Sequence, residues 1–224
     1  MLHGSPRPGL AGSELTRLLA RLAHLADTPP AAAPAAFAER LGHWLNWTGA
    51  ITLSGVLDTA SPVPAGPAAT AVAAAGRAQA DVQRVQAALL AAIAAGPDEP
   101  ASSPADFGPH RRHCLALQQA MQDTIGALRQ RLRDALLRQS PAQARLAAID
   151  RVLDQALATQ ERGLLGLVPL RLQAHFERLQ RSAPEGDQRW PAVFRADMAC
   201  LLQAELAHRL LPAQGLLAAL RPSS

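Results

Sequence analysis

Apolar residues recur along this chain at spacings of three and four, the period that lays side chains along one face of an α-helix. Leu15, Leu18, Leu19, Leu22 and Leu25 form one such stripe behind Ser13, a good N-cap, and predict a first helix to about Ala26. A second is expected over about residues 35–58, with Phe37, Leu41, Trp44, Leu45, Thr48 and Ile51 on one face. Gly42, Gly49 and Gly55 weaken it, each costing roughly 1 kcal/mol against alanine. A third, alanine-rich stripe carries Val82, Val85, Leu89 and Ile93 and should stop at Gly96. Its alanine face is thin, so it is expected to be the least anchored element.

The pattern is most regular after residue 110. Cys114, Gln118, Met121, Ile125, Leu128, Leu132, Ala135 and Gln139 alternate spacings of four and three, the repeat of a coiled-coil seam, over a helix of about 45 Å. Ser140 and Pro141 read as an N-cap followed by a first-turn proline. They open a helix whose predicted seam is Leu146, Ile149, Leu153, Ala156 and Gln160. The short connection favours antiparallel pairing, with Arg131 within reach of Asp150 or Asp154. Pro169 should kink or break the chain before a helix carrying Leu172, Phe176 and Leu179. Trp190 and Pro191 open the last long helix, with Phe194, Met198, Leu201, Leu202, Leu206 and Leu210 inward and Pro212 as its expected end before a short leucine tail. The i,i+4 pairs Asp134/Arg138, Glu177/Arg181 and Glu205/Arg209 are expected to add helix support.

The fold class expected is therefore all-α, a helical bundle built on a long antiparallel coiled-coil-like helix pair. Proline and glycine clusters suggest its divisions: a disordered N-terminus at 1–12, a helical hairpin at 13–58, a hinge at 59–67, the alanine-rich helix at 68–96, a proline-rich linker at 97–109 and a C-terminal bundle at 110–220.

Composition narrows the chemistry. Alanine and leucine supply roughly 38% of the 224 residues, aromatics 3%, and all 22 basic side chains are arginine. Strand formers are too scarce for an all-β fold. Without lysine there is no Schiff base, no P-loop phosphate binding through lysine and no protein-kinase catalysis. The formal charge of +4 is mild, and the sequence pI near 10.7 reflects the absence of lysine and tyrosine more than a strong basic excess. The first twelve residues lack an apolar core for a signal peptide, and the uncharged run at 59–76 is interrupted by Pro62, Pro64 and Pro67, so no transmembrane segment is expected. Two cysteines far apart, Cys114 and Cys200, suggest free thiols in a reducing cytoplasm.

No motif assigns a reaction, since GxSxG, GxGxxG and Walker patterns are missing, and neither catalytic residue, cofactor nor metal is expected. His110, His113 and Cys114 share a helix face and could ligate zinc, but they lack a fourth ligand, and Cys114 lies on the apolar seam as a small hydrophobe. Asp150, Asp154 and Glu161 fall in one sector of a helix, where an interhelical ion-pair stripe is a simpler reading than paired catalytic carboxylates. Trp44, Trp47 and Phe37 are the candidate partner-binding residues, although core packing where the first two helices meet is the simpler reading. Residues 111–151 hold eight arginines against three acids, so Arg129, Arg131, Arg133 and Arg138 are candidate phosphate or anion contacts. The arginines point to several faces with no aromatic between them, which makes a nucleic-acid role the weaker one.

The stretches FAERLGHWLNWTGAITLS, LALQQAM, RLRDALLRQS and HFERL and the ending FRADMACLLQAELAHRLLPAQGLLAALR resemble an uncharacterised proteobacterial family known only as a domain of unknown function. The resemblance supplies no catalytic motif. It implies an accessory to an envelope-associated complex, because genes of that family sit beside genes for TolQ or flagellar-stator type proton-channel subunits and OmpA-like proteins. Residues and resemblance together lead to the expectation of a non-catalytic interaction or scaffold protein, pairing through its helical seams with itself or a protein partner. The alternative is weak binding of nucleic acid or an anionic surface through arginine-rich helices.

Overall fold

A computed structural model describes residues 68–97, 106–184, 187 and 189–221, together with 51, 54 and 55. Five helices and no strand occur among the described residues: α1 (Ala68–Ala95), α2 (Gly108–Leu137), α3 (Pro141–Leu165), α4 (Leu167–Ser182) and α5 (Trp190–Leu220). The protein is all-α. Most of the helix predicted over 35–58, with Phe37, Trp44 and Trp47, lies outside the described residues; its described Ile51 is helical and exposed. None of the described helices is long and apolar enough to cross a membrane.

Helix boundaries follow the local chemistry closely. Gly96 adopts a φ of 72° just past α1, a left-handed conformation that costs glycine little, and so stops the helix where the sequence places the stop. At the start of α2, Asp106 Oδ1 accepts the Gly108 amide at 2.8 Å. A Cβ at Gly108 would stand 2.9 Å from that same carboxylate oxygen, so the cap requires glycine there. Between α2 and α3, Ser140 Oγ accepts the Gln143 amide at 3.3 Å and donates to Gln143 Oε1 at 2.8 Å, a local N-cap with Pro141 in the first turn.

Two expected boundaries are corrected. The break predicted at Pro169 falls at Gly166, three residues earlier, and Pro169 sits in the first turn of α4, where its missing N–H is harmless. Having no N–H, Pro169 cannot bond the carbonyl four residues back, that of Leu165. Pro212 does not end α5, which continues to Leu220. A proline inside a helix costs about 3 kcal/mol. Burying Leu216, Leu217 and Leu220 returns about 1.5–3 kcal/mol each, so the buried leucines carry the helix past the proline.

Among the described residues, those in Gln86–Asp123 and Leu165–Leu211 form one compact unit, and those in Ala32–Val85, Thr124–Leu164 and Pro212–Ser224 form another. In the first, Leu89 and Ile93 of α1, Cys114, Leu117 and Met121 of α2, Val168, Leu172 and Phe176 of α4, and Phe194, Met198, Leu201, Leu202, Leu206 and Leu210 of α5 are buried. In the second, Val82 and Val85 of α1, Ile125, Leu128, Leu132 and Leu136 of α2, Ala144, Ala147 and Val152 of α3, and Leu216, Leu217 and Leu220 of α5 are buried. The alanine-rich α1 is better anchored than its composition suggests. Its predicted apolar stripe is buried, and in the second unit Asp81 lies 3.5 Å from Arg131 and Gln79 accepts from Arg221 at 2.9 Å.

Burial also revises both predicted seams. From Cys114 on, the buried apolar positions of α2 are 114, 117, 121, 125, 128, 132 and 136, spaced three, four, four and again three, four, four. That is an 11-residue repeat over three turns, close to the natural period of a straight helix, whereas the alternating four-and-three repeat needs left-handed supercoiling. Gln118 and Ala135 are half-buried as a result. On α3 the buried residues are the small Ala144 and Ala147 with Val152 and, at its end, Leu165, while Leu146 is exposed. Small side chains let helix backbones approach, which leucine at those positions would not.

Candidate functional site

Two polar centres lie inside the units, one in each. In the unit containing Thr124–Leu164, Arg129 and Arg133, one turn apart on α2, meet Asp150 and Asp154, one turn apart on α3. Arg129 Nη2 donates to Asp150 Oδ1 at 2.8 Å and its Nη1 to Asp154 Oδ1 at 2.6 Å. Arg133 Nε donates to Asp150 Oδ2 at 2.7 Å and its Nη2 to Asp154 Oδ2 at 2.6 Å. Each arginine thus spans both aspartates and each aspartate accepts from both arginines, a closed set of charge-assisted bonds with no net charge. Burial alone would weaken the Arg133 charge. The hydrogen bonds and charges of Asp154 and Asp150 outweigh it and raise the arginine further.

The expected interhelical ion-pair stripe exists, but with different arginines. Arg131, expected to reach Asp150 or Asp154, is exposed and faces Asp81 of α1, because only arginines at an i,i+4 spacing match two aspartates at the same spacing. Among the four candidate anion contacts, Arg129 and Arg133 are thus engaged with Asp150 and Asp154, Arg131 with Asp81, and Arg138 is exposed just past α2. The candidate partner-binding residues Trp44, Trp47 and Phe37 lie outside the described residues.

The other centre lies in the unit containing Leu165–Leu211. Gln118 Nε2 donates to the Leu165 carbonyl at 3.0 Å, which Pro169 has no N–H to bond, and also lies 2.9 Å from Oε2 of Glu205. Glu205 is wholly buried and accepts from Arg209 Nε at 2.9 Å, while Arg209 Nη1 approaches Gln122 Oε1 at 3.4 Å. Of the three expected i,i+4 pairs, Glu205/Arg209 forms as an ion pair, and in the core rather than on a surface. Asp134 accepts from Gln130 and Glu177 from Gln173 instead. Burial, with the negative charge of Glu205 second, pushes the Cys114 thiol up to about 12. A protonated thiol is a poor nucleophile and a poor metal ligand. Among the described residues no group of three or more His, Cys, Asp or Glu is placed to hold a metal ion.

Beside this network, aromatic rings from three elements pack together. Phe194 of α5 stands edge-on to Phe176 of α4 at 4.9 Å between centroids and edge-on to His110 of α2 at 5.0 Å, with Phe107 6.1 Å away. Trp190 closes on Phe176 at 5.0 Å, and His175 lies 6.1 Å from Phe194. Arg178 Nη2 donates to His175 Nδ1 at 2.8 Å, since a guanidinium has only donors, and His175 Nε2 therefore carries the hydrogen directed at Asp197 Oδ2, 2.7 Å away.

Sequence periodicity finds Phe176 and Phe194 but misses His175, Asp197, Arg178 and the burial of Glu205. A signal for Glu205 exists, because it occupies the inward stripe between Leu202 and Leu206. Gln118 is marked in the same way, as a polar residue on an apolar seam. His175 carries the same mark between Leu172 and Phe176, while its partners Arg178 and Asp197 lie on two different helices and are not marked by periodicity.

A family model described as "Protein of unknown function (DUF3348)" matches residues 1–222, and the chain belongs to that family. No curated protein and no solved structure matches it.

Proposed function

We propose that this member of a family of unknown function is a non-catalytic interaction protein whose helices present apolar side chains to a protein partner or a second copy. The observation that carries the reading is the outer face of α4. Leu167 and Leu170, one turn apart, are exposed by 41% and 61%, while Val168, Leu172 and Phe176 of the same helix are sealed inside. Covering two such leucines is worth about 1.5–3 kcal/mol each, and two together on one turn offer an anchor that scattered exposed residues do not.

The ionisable groups best placed for chemistry are already spent on internal partners. Asp150 and Asp154 are held by two arginines, Glu205 by Gln118 and Arg209, and His175 by Arg178 and Asp197. Two free thiols support a reducing, cytoplasmic setting. The family resemblance adds an envelope-associated complex as the place where the partner would be found.

Light scattering and crosslinking over a range of concentrations test the second-copy form, and affinity purification from the native host tests the partner form. The double variant Leu167→Ser/Leu170→Ser should keep its thermal stability and lose the association. A strict monomer that retains no partner, or a variant that associates as well as the wild type, overturns the reading. Titration against DNA at two salt concentrations gives the competing outcome, binding at low salt that falls steeply as salt rises.

A further inference from the structure

The aromatic cluster holds two buried imidazoles, His110 and His175, on either side of Phe194. The surroundings of His110 oppose a second proton. His110 belongs to the first turn of α2, where the positive end of the helix dipole disfavours a cation. Its Nδ1 is buried with no hydrogen-bond partner among the described residues. A proton there would be a charge with nothing to accept it, packed against Phe176 and Phe194.

We propose that this cluster is an acid-sensitive latch: proton uptake by His110 frees the first turn of α2 from α4 and α5 and opens the phenylalanine rings to solvent. The charged groups around it act as follows. On α2 and just before it, His113 opposes a charge on His110 and Asp106 favours it; from α5, Arg195 opposes it. For His110 the sum is a pKa lowered from 6.5, with desolvation by burial the largest cause and Arg195 next. The sign follows from linkage. A histidine held neutral in the fold stabilises it fully above 6.5, and that contribution is lost as pH falls from 6.5 toward the lowered value, because the unfolded chain takes up the proton first. A cation facing phenylalanine rings recovers about 0.5–2 kcal/mol, less than the cost of several kcal/mol for a buried unpaired charge.

Trp190, packed against Phe176, reports on the cluster. In full-length protein carrying Trp44→Phe and Trp47→Phe, Trp190 emission should shift to the red between pH 8 and pH 5, with its midpoint below 6.5. The added substitution His110→Leu should abolish the shift, since leucine occupies the apolar site without titrating. Should that variant fail to fold, the ring-proton resonances of His110 in the parent must titrate with the same midpoint as the emission. Emission constant to pH 5, a variant that shifts like its parent, or a His110 imidazole that stays neutral through the shift would each overturn the latch.

Discussion

In the unit containing Thr124–Leu164 four charges close on one another, whereas in the unit containing Leu165–Leu211 one amide bridges two acceptors. Arg129, Arg133, Asp150 and Asp154 share four hydrogen bonds of 2.6–2.8 Å and cancel in charge, with Arg133 buried and the others partly exposed. Glu205 accepts from Gln118 and Arg209, and Gln118 also serves the Leu165 carbonyl. Arg129 Nε in the first unit and His110 Nδ1 in the second are buried with no hydrogen-bond partner among the described residues. A closed set of charges fixes how two helices pair but resists change, because every member is held twice. A bridging amide releases two partners when it is lost. The difference assigns register to the first unit and responsiveness to the second.

The largest expected effect breaks the closed set. Asp150→Ala leaves Arg129 and Arg133 half-paired in a partly buried site and should cost about 3 kcal/mol by urea unfolding, the lower end of the range for a buried pair. Replacing all four members with apolar residues of similar volume should come out near neutral or stabilising, which would show that the charges serve specificity rather than stability. Next, Gln118→Leu removes the amide that donates to the Leu165 carbonyl and weakens the hold on Glu205. The expected loss is about 2–3 kcal/mol, and an unfolding curve indistinguishable from the wild type would dissolve the contrast between the units.

Pro212→Ala acts in the opposite direction. It restores a helix hydrogen bond in α5 and should raise stability by about 1 kcal/mol or more, visible as an increased Tm. The smallest effect is chemical. In native protein Cys200, exposed on α5, should react with a thiol reagent while Cys114, buried and raised to about 12, should not, and both should react in denaturant. Modification of Cys114 at native rates would show that the network around Glu205 opens far more readily than its burial implies.

The stops and starts of the described helices were legible in the chain because each depends on a few neighbouring residues. Gly96 ends α1, Ser140 and Pro141 begin α3, and Trp190 begins α5. The inward stripes of α1 and α5 were legible for the same reason, since periodicity is a local property. Where several helices compete for one residue, periodicity stops being enough. The seam of α2 follows an 11-residue rather than a seven-residue repeat, and Pro212 is passed over because leucines beyond it are buried. Arg129 and Arg133 replace Arg131 opposite Asp150 and Asp154, since a pairing register depends on the geometry of two helices and a single helix face does not reveal it.

By itself, then, the sequence determined the all-α class, most helix ends and the absence of lysine-based chemistry, all consequences of local conformational preference and composition. Only the tertiary structure decided which polar groups are consumed inside and which apolar groups remain outside. Arg133 pairs with aspartates instead of facing solvent, Glu205 sits in a core, His175 joins two helices, and Leu170 stands exposed. The physical reason is that burial and pairing belong to at least two chain segments at once, and their free energies are set by partners that no local pattern names.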